Sequence, residues 1–248
     1  MKQASPPVIF LGPTLDHITA AQLAVADFKP PAAMGDITRA AAAQANLIVL
    51  VDGVFENGPS VWHKEILFAI SEGIPVIGAS SMGALRAAEL HNYGMTGYGA
   101  IYNEFASGRL NDDDEVAVVH GPAELGWPRI SDAMVDIRAD VNHAASIGVL
   151  SAGEADAINA HAKASFFKER KLQTSLEVIL PASRNQEQQS KIADWFRTRG
   201  PSLKERDCRA LLENLPMISA VARSRIKFAS KFVPTIYLKR LQEFGYSI

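Results

Sequence analysis

The residue types that could do chemistry gather in one short stretch, Gly78-Ala79-Ser80-Ser81-Met82-Gly83-Ala84-Leu85-Arg86. Around Ser81 this is a small–x–Ser–x–Gly pattern, the shape of a nucleophile elbow between a strand and a helix. Small flanking residues permit a tight turn. The amides of Met82 and Gly83, at a helix start, are expected to be free to hold a developing oxyanion. Arg86, one turn along, can pair with a carboxylate or phosphate. The pattern alone leaves three uses open: catalysis, anion binding, or a serine that merely caps a helix. Its first position is Ala79 rather than glycine, so it is weakly specific.

Two further polar residues are expected on the same rim. Asp52 ends the apolar run Leu47–Val51, and His63 lies in the helix that follows. With Ser60 as cap, His63 takes the third helical position, on the inward stripe with Leu67 and Ile70. It is then either a base beside the serines or a buried histidine satisfied by a backbone carbonyl. Glu65 is expected on another face, orienting a neighbour or complementing the helix dipole.

The elements that must position these residues are legible from the pattern. Val8–Leu11 is an apolar run ended by Gly12-Pro13, and Thr19–Asp27 is alanine-rich and reads as a helix. Asp36 can cap a helix through the alanines at 40–43, Leu47–Val51 is a doubly covered strand, and Ser60–Glu72 is a helix stopped by Gly73. Pro75–Gly78 is a strand, Met82–Leu90 a helix, and Val116–Val119 a further strand. Strand and helix alternating in this way imply parallel pairing. The later segments read as helices alone: Ser131–Ile147, Ser151–Lys168 behind a capping box, Gln186–Arg197, Leu203–Leu215 and Ile218–Phe228. The fold class is α/β, a Rossmann-like, mostly parallel sheet with a C-terminal helical extension. The expected division is an α/β core over 1–125 and a helical extension over 126–248.

Composition removes several function classes. One cysteine, Cys208, excludes a disulfide framework and a four-cysteine zinc site. The six histidines lack paired metal-ligand spacing. Asp112-Asp113-Asp114-Glu115 lacks calcium-loop spacing and reads as a solvated turn rather than a hard-cation site. Gly94–Gly99 is glycine-rich, but no strand is expected before it, so a dinucleotide fingerprint is not supported. No cofactor and no metal are expected. The start of the chain is too short and proline-rich for a signal peptide, and no apolar run approaches the ~20 residues of a spanning helix. A cytoplasmic protein with no membrane partner is the expectation. From Lys191 to Ile248 there are 12 Lys/Arg against 5 Asp/Glu in a chain of net charge −2. This basic tail is either a solvated face or a contact for an acidic partner. Nucleic acid fits poorly, since no aromatic–basic motif accompanies the charge.

Val51-Asp52-Gly53-Val54-Phe55, His63-Lys64-Glu65-Ile66-Leu67 and the stretch from Gly78 to Leu90 together resemble the core of the TfuA-like proteins. Tyr93–Gly99 and Asp113–Ala117 continue the pattern. The resemblance is strong from about Ile48 to His120, looser to about Leu180, and absent from the basic tail. It implies a partner of a YcaO-family enzyme in backbone thioamidation of a ribosomal peptide natural product or a protein. It also implies a second partner, a ubiquitin-like sulfur-carrier protein with a C-terminal thiocarboxylate, and a precursor peptide as a third. On that reading Ser81, or Ser80 in its place, attacks the thiocarboxyl carbon, His63 is the base and Asp52 orients it. Arg86, with Ser80, Met82, Gly83 and Glu65, lies on the substrate-binding side. Two competitors stand beside this hydrolase. One is a non-catalytic adaptor that docks the carrier to YcaO. The other is an ordinary serine esterase, disfavoured because Asp52 and His63 both precede Ser81.

Overall fold

The computed structural model describes residues 5–55, 58–226 and 243. The chain divides into two compact units, Met1–Asn111 with Asp207–Ile248, and Asp112–Arg206. The first unit is built on five parallel strands: β1 Val8–Phe10, β2 Asp27–Lys29, β3 Ile48–Leu50, β4 Val76–Ala79 and β5 Thr96–Tyr98. Their spatial order is β2-β1-β3-β4-β5, with Val8 aligned to Ile48, Ile48 to Val76 and Ile77 to Thr96. The expected α/β class with a parallel sheet is thus what forms, with helices following it. In this order the chain reverses direction between β1 and β3, the switch point where open α/β sheets leave a crevice at their carboxyl edge.

Alternation along the strands sorts the core into two layers. Phe10, Ile48, Leu50 and Val76 face α2 (Asp36–Ala42), α3 (His63–Ser71) and α4 (Met82–Leu90). Ile9, Leu11, Val49, Val51, Ile77 and Ala79 face α1 (His17–Leu23) and the buried residues of α10 (Leu203–Glu213) and α11 (Leu215–Arg225). Cys208 is wholly buried in this second layer. Every side chain of β3 and β4 is buried, as a sheet covered on both faces requires.

Several local expectations are corrected. The alanine-rich segment stops being helical at Leu23, Ala24 is extended, and Asp27–Lys29 pairs with β1 as an edge strand. Helix propensity there yields to backbone pairing with the sheet. Asp36 is the first residue of α2 rather than its cap, and its carboxylate accepts from the Ala33 amide at 2.7 Å. Val116–Val119 is not a strand. Its backbone groups are taken by side chains instead: Val116 O by Lys204 Nζ at 3.0 Å and Val119 N by Ser131 Oγ at 2.8 Å. A strand does lie in the glycine-rich segment, β5. Gly97 allows it, because a Cβ there would fall 2.0 Å from the Tyr102 ring.

The second unit is helical: α6 Met134–Ser146, α7 Ala152–Ala164, α8 Leu172–Ile179 and α9 Gln186–Thr198. These helices close around Ile137, Val141, Ile158, Leu176 and Phe196. The Ser151 box forms as expected, with the Glu154 carboxylate accepting from Ser151 N at 2.8 Å. Of the basic tail, residues 227–242 and 244–248, including the end of the helix expected over Ile218–Phe228, lie outside the described residues. Among the described residues no helix is long and apolar enough to cross a membrane.

Candidate active site

The carboxyl ends of β1, β3 and β4 meet at one edge of the sheet, and the short stretch after each strand sets the site. After β4 the chain makes a γ-turn. Ser81 N donates to Ala79 O at 2.8 Å across Ser80, which sits at φ +66°. A two-residue hydrogen bond around a positive φ is a rare and strained turn for a side-chain-bearing residue. Ser81 then stands at φ −106°, ψ −128° as the residue before α4. Ser80 is fully buried and Ser81 is 6 % exposed. Among the described residues the Ser81 hydroxyl makes no hydrogen bond, so it is not a side-chain cap.

Two glycines let this turn form. A Cβ on Gly83 would fall 1.7 Å from Leu50 O, and one on Gly78 would fall 2.1 Å from Gly83 O. The first turn of α4 therefore lies directly on β3 and β4. That closeness has a chemical consequence. Gly83 N donates to Val51 O at 3.1 Å, so it is committed to the sheet and is not free for an oxyanion, as had been expected. The Met82 amide has no acceptor among the described residues and is the donor that remains.

Asp52 is buried at the switch point. Its carboxylate accepts from Gly12 N at 2.9 Å, Thr14 N at 3.0 Å and Thr14 Oγ1 at 2.6 Å. These bonds tie the loop after β1 to the end of β3. They use the carboxylate fully, and His63 is not among its partners. Asp52 positions the rim; it does not orient the histidine.

His63 is displaced from its expected place because α3 starts three residues later than Ser60 suggests. Ser60 Oγ donates to Val54 O at 2.7 Å and caps nothing. Trp62 precedes the helix and His63 is its first residue. One helical position changes the facing of a side chain by about 100°, and His63 now points outward. Its Nε2 lies 2.8 Å from Glu89 Oε2, and Glu89 Oε2 in turn accepts from Arg86 Nη1 at 2.7 Å. Burial works against the charge on Glu89, but its bonds to His63 and Arg86 outweigh it and hold the carboxyl below its ordinary value. Arg86 Nε also reaches Val61 O at 3.4 Å, which leaves its Nη2 for a ligand.

The inward place goes to Glu65. It is wholly buried, and its carboxylate accepts from Gly35 N at 2.7 Å and Trp62 N at 3.1 Å. Burial raises its pKa, offset in part by those backbone bonds. It joins the starts of α2 and α3 rather than facing a ligand. The structure therefore brings His63 and Arg86 together through Glu89, and holds Ser80, Ser81 and Met82 in one turn. It does not form the expected Asp52–His63–Ser81 relay. Glu89 was missed by the sequence reading. The available signal was its position three residues beyond Arg86 on the same helix, a spacing that favours an ion pair.

In the second unit the acidic run is neither solvated nor a cation site. Asp112, Asp114 and Glu115 have ligand oxygens within 4.8 Å of one another. The Lys163 ammonium binds all three at 2.9, 2.5 and 3.0 Å, and Arg170 pairs with Asp114 at 2.5 Å. The place a metal would take is held by a lysine of the same chain.

Residues 52–171 match the model of the family described as TfuA-like protein. The matched stretch begins at Asp52 and includes the serine turn, His63, Arg86 and Glu89. It supports a role in the YcaO-associated thioamidation system, with YcaO proteins as associates. No curated protein matches the chain.

Proposed function

Taking as premise that residues 52–171 are TfuA-like, we propose that this protein releases sulfide from the C-terminal thiocarboxylate of a small sulfur-carrier protein and supplies it to a YcaO enzyme. The observation that carries the proposal is the strained turn at Ser80, which presents an unbonded Ser81 hydroxyl beside the open Met82 amide. Ser81 Oγ attacks the thiocarboxyl carbon, and the oxyanion that forms is met by Met82 N–H. The serine proton passes to His63 and returns to the sulfur, so the C–S bond breaks and HS⁻ leaves. Water then hydrolyses the acyl-serine ester, giving a carboxylate and restoring Ser81. Arg86 Nη2 holds the anionic chain end. Ser81 is only 6 % exposed, so a thin chain end, not a folded surface, must reach it.

His63 serves this chemistry through water. Its partner Glu89 is eight residues beyond Ser81, about 12 Å of helix rise, shortened because long helical side chains lean towards the N-terminus. That separation, and the commitment of Gly83 N to Val51 O, favour a second reading: an adaptor that binds the carrier end at the rim without cleaving it. Incubating purified protein with thiocarboxylated carrier, with and without YcaO, separates them. The hydrolase reading expects free sulfide and carrier carboxylate. Tight carrier binding with an intact thiocarboxylate under both conditions would replace it with the adaptor. Turnover of small activated esters without carrier would favour the esterase instead.

A further inference from the structure

We propose that Glu89 is the positioning residue for His63: it fixes the ring as the Nε2–H tautomer and leaves Nδ1 as the nitrogen that accepts a proton, an inference that rests on the base role of His63 proposed above.

An ionised carboxylate only accepts hydrogen bonds. Glu89 Oε2 is held in that state by Arg86 Nη1 at 2.7 Å, so the 2.8 Å contact from His63 requires the proton to sit on Nε2. In a neutral imidazole the other nitrogen then carries the lone pair. Among the described residues Nδ1 has no partner, and His63 is about half exposed, with 46 % of its side chain accessible. The ring is thus anchored at one end and open at the other. The anchor is itself anchored: Arg86, only 15 % exposed, reaches Val61 O as well as Glu89. The arrangement has the logic of a base oriented by a carboxylate, with the carboxylate supplied from α4 rather than from the end of β3. Asp52 is unavailable for this task because Gly12 and Thr14 occupy its carboxylate.

The test is the ¹⁵N–¹H imidazole spectrum of His63 in wild type, Glu89→Ala and Glu89→Gln, recorded above the pH at which the ring titrates, beside sulfide release by the same proteins. Glutamine keeps an acceptor at this position and alanine does not. Wild type and Glu89→Gln are expected to show the Nε2–H tautomer, and Glu89→Ala a mixture of both. In Glu89→Ala kcat is expected to fall by roughly tenfold or more, with KM within about twofold, and Glu89→Gln to recover part of the loss. A wild-type-like tautomer in Glu89→Ala overturns the proposal, and so does an altered tautomer with unchanged kcat. If the wild-type protein releases no sulfide, the sulfur-release reading fails, and the tautomer spectra alone still decide whether Glu89 positions His63. Glu89 is partly exposed on α4, so melting curves like wild type are expected for both variants.

Discussion

Replacing Gly83 by alanine puts the packing of the serine turn to a direct test. The added Cβ would meet Leu50 O at 1.7 Å and Leu50 C at 2.6 Å. Both are backbone atoms of a central strand, so no side chain can swing away. Either α4 lifts from β3 or the strand distorts. Overpacking of this kind costs about 1–3 kcal/mol, and more where the obstacle is backbone. Lifting also breaks the 3.1 Å bond from Gly83 N to Val51 O, and leaving a buried carbonyl unpaired adds about 1–3 kcal/mol. A total loss of about 3–5 kcal/mol is therefore expected, read as a lower urea midpoint with an unchanged slope. Sulfide release should fall as well, because the same bond fixes Ser81 and Met82. Gly153→Ala is the matched control. It lies in the first turn of α7 with nothing within 4 Å of a new Cβ, and alanine there should be neutral or stabilise by up to about 1 kcal/mol. Gly83→Ala as stable as wild type, within about 0.5 kcal/mol, would refute the close packing of α4 on β3.

Asp52→Asn should destabilise by roughly 2–4 kcal/mol in urea titrations, since an amide cannot accept all three bonds from Gly12 and Thr14 and turns a donor towards them. A loss confined to activity would contradict its placement as a structural tie. Arg184→Gln tests an acid-linked pair: the Arg184 guanidinium, bonded at 2.6 Å, holds Glu154 well below its ordinary 4.5. A depressed carboxyl stabilises the fold above its unfolded value and loses that contribution as pH falls through the folded one. The variant should therefore be less stable than wild type at pH 7, with the gap narrowing steadily below about pH 4.5; a gap independent of pH would contradict the pairing.

The sheet's interior strands were readable because β3 and β4 are continuous apolar runs that pack on both faces. Met82–Leu90 was readable to the residue, since the small residues Gly83, Ala84 and Ala87 mark a helix pressed onto a sheet. The edge strand β2 was hidden inside an alanine-rich segment whose local preference is helical, and only its pairing with β1 reveals it. Val116–Val119 misled for the opposite reason. It is apolar enough for a strand, but Lys204 and Ser131, far along the chain, take its backbone groups. At the candidate site, the serine turn was located correctly as a strand-to-helix junction, but the partners of each polar group were not. Ser60 looked like a cap and is instead bonded to Val54, and that shift moved His63 from the inward face to the Glu89 side. Asp52 was placed at the right edge with the wrong partner, because only the three-dimensional path of the β1 loop brings Gly12 and Thr14 to it. Pairings across a rim depend on loop geometry, which residue spacing does not encode.

The central claim is that Ser81 breaks the thiocarboxylate bond, and sulfide release by Ser81→Ala measures it. With thiocarboxylated carrier in excess and YcaO present, the account predicts a rate at least about a hundredfold below wild type, with carrier binding retained. Release at the wild-type rate would contradict it and leave the strained serine turn as a place that holds the carrier end without cutting it.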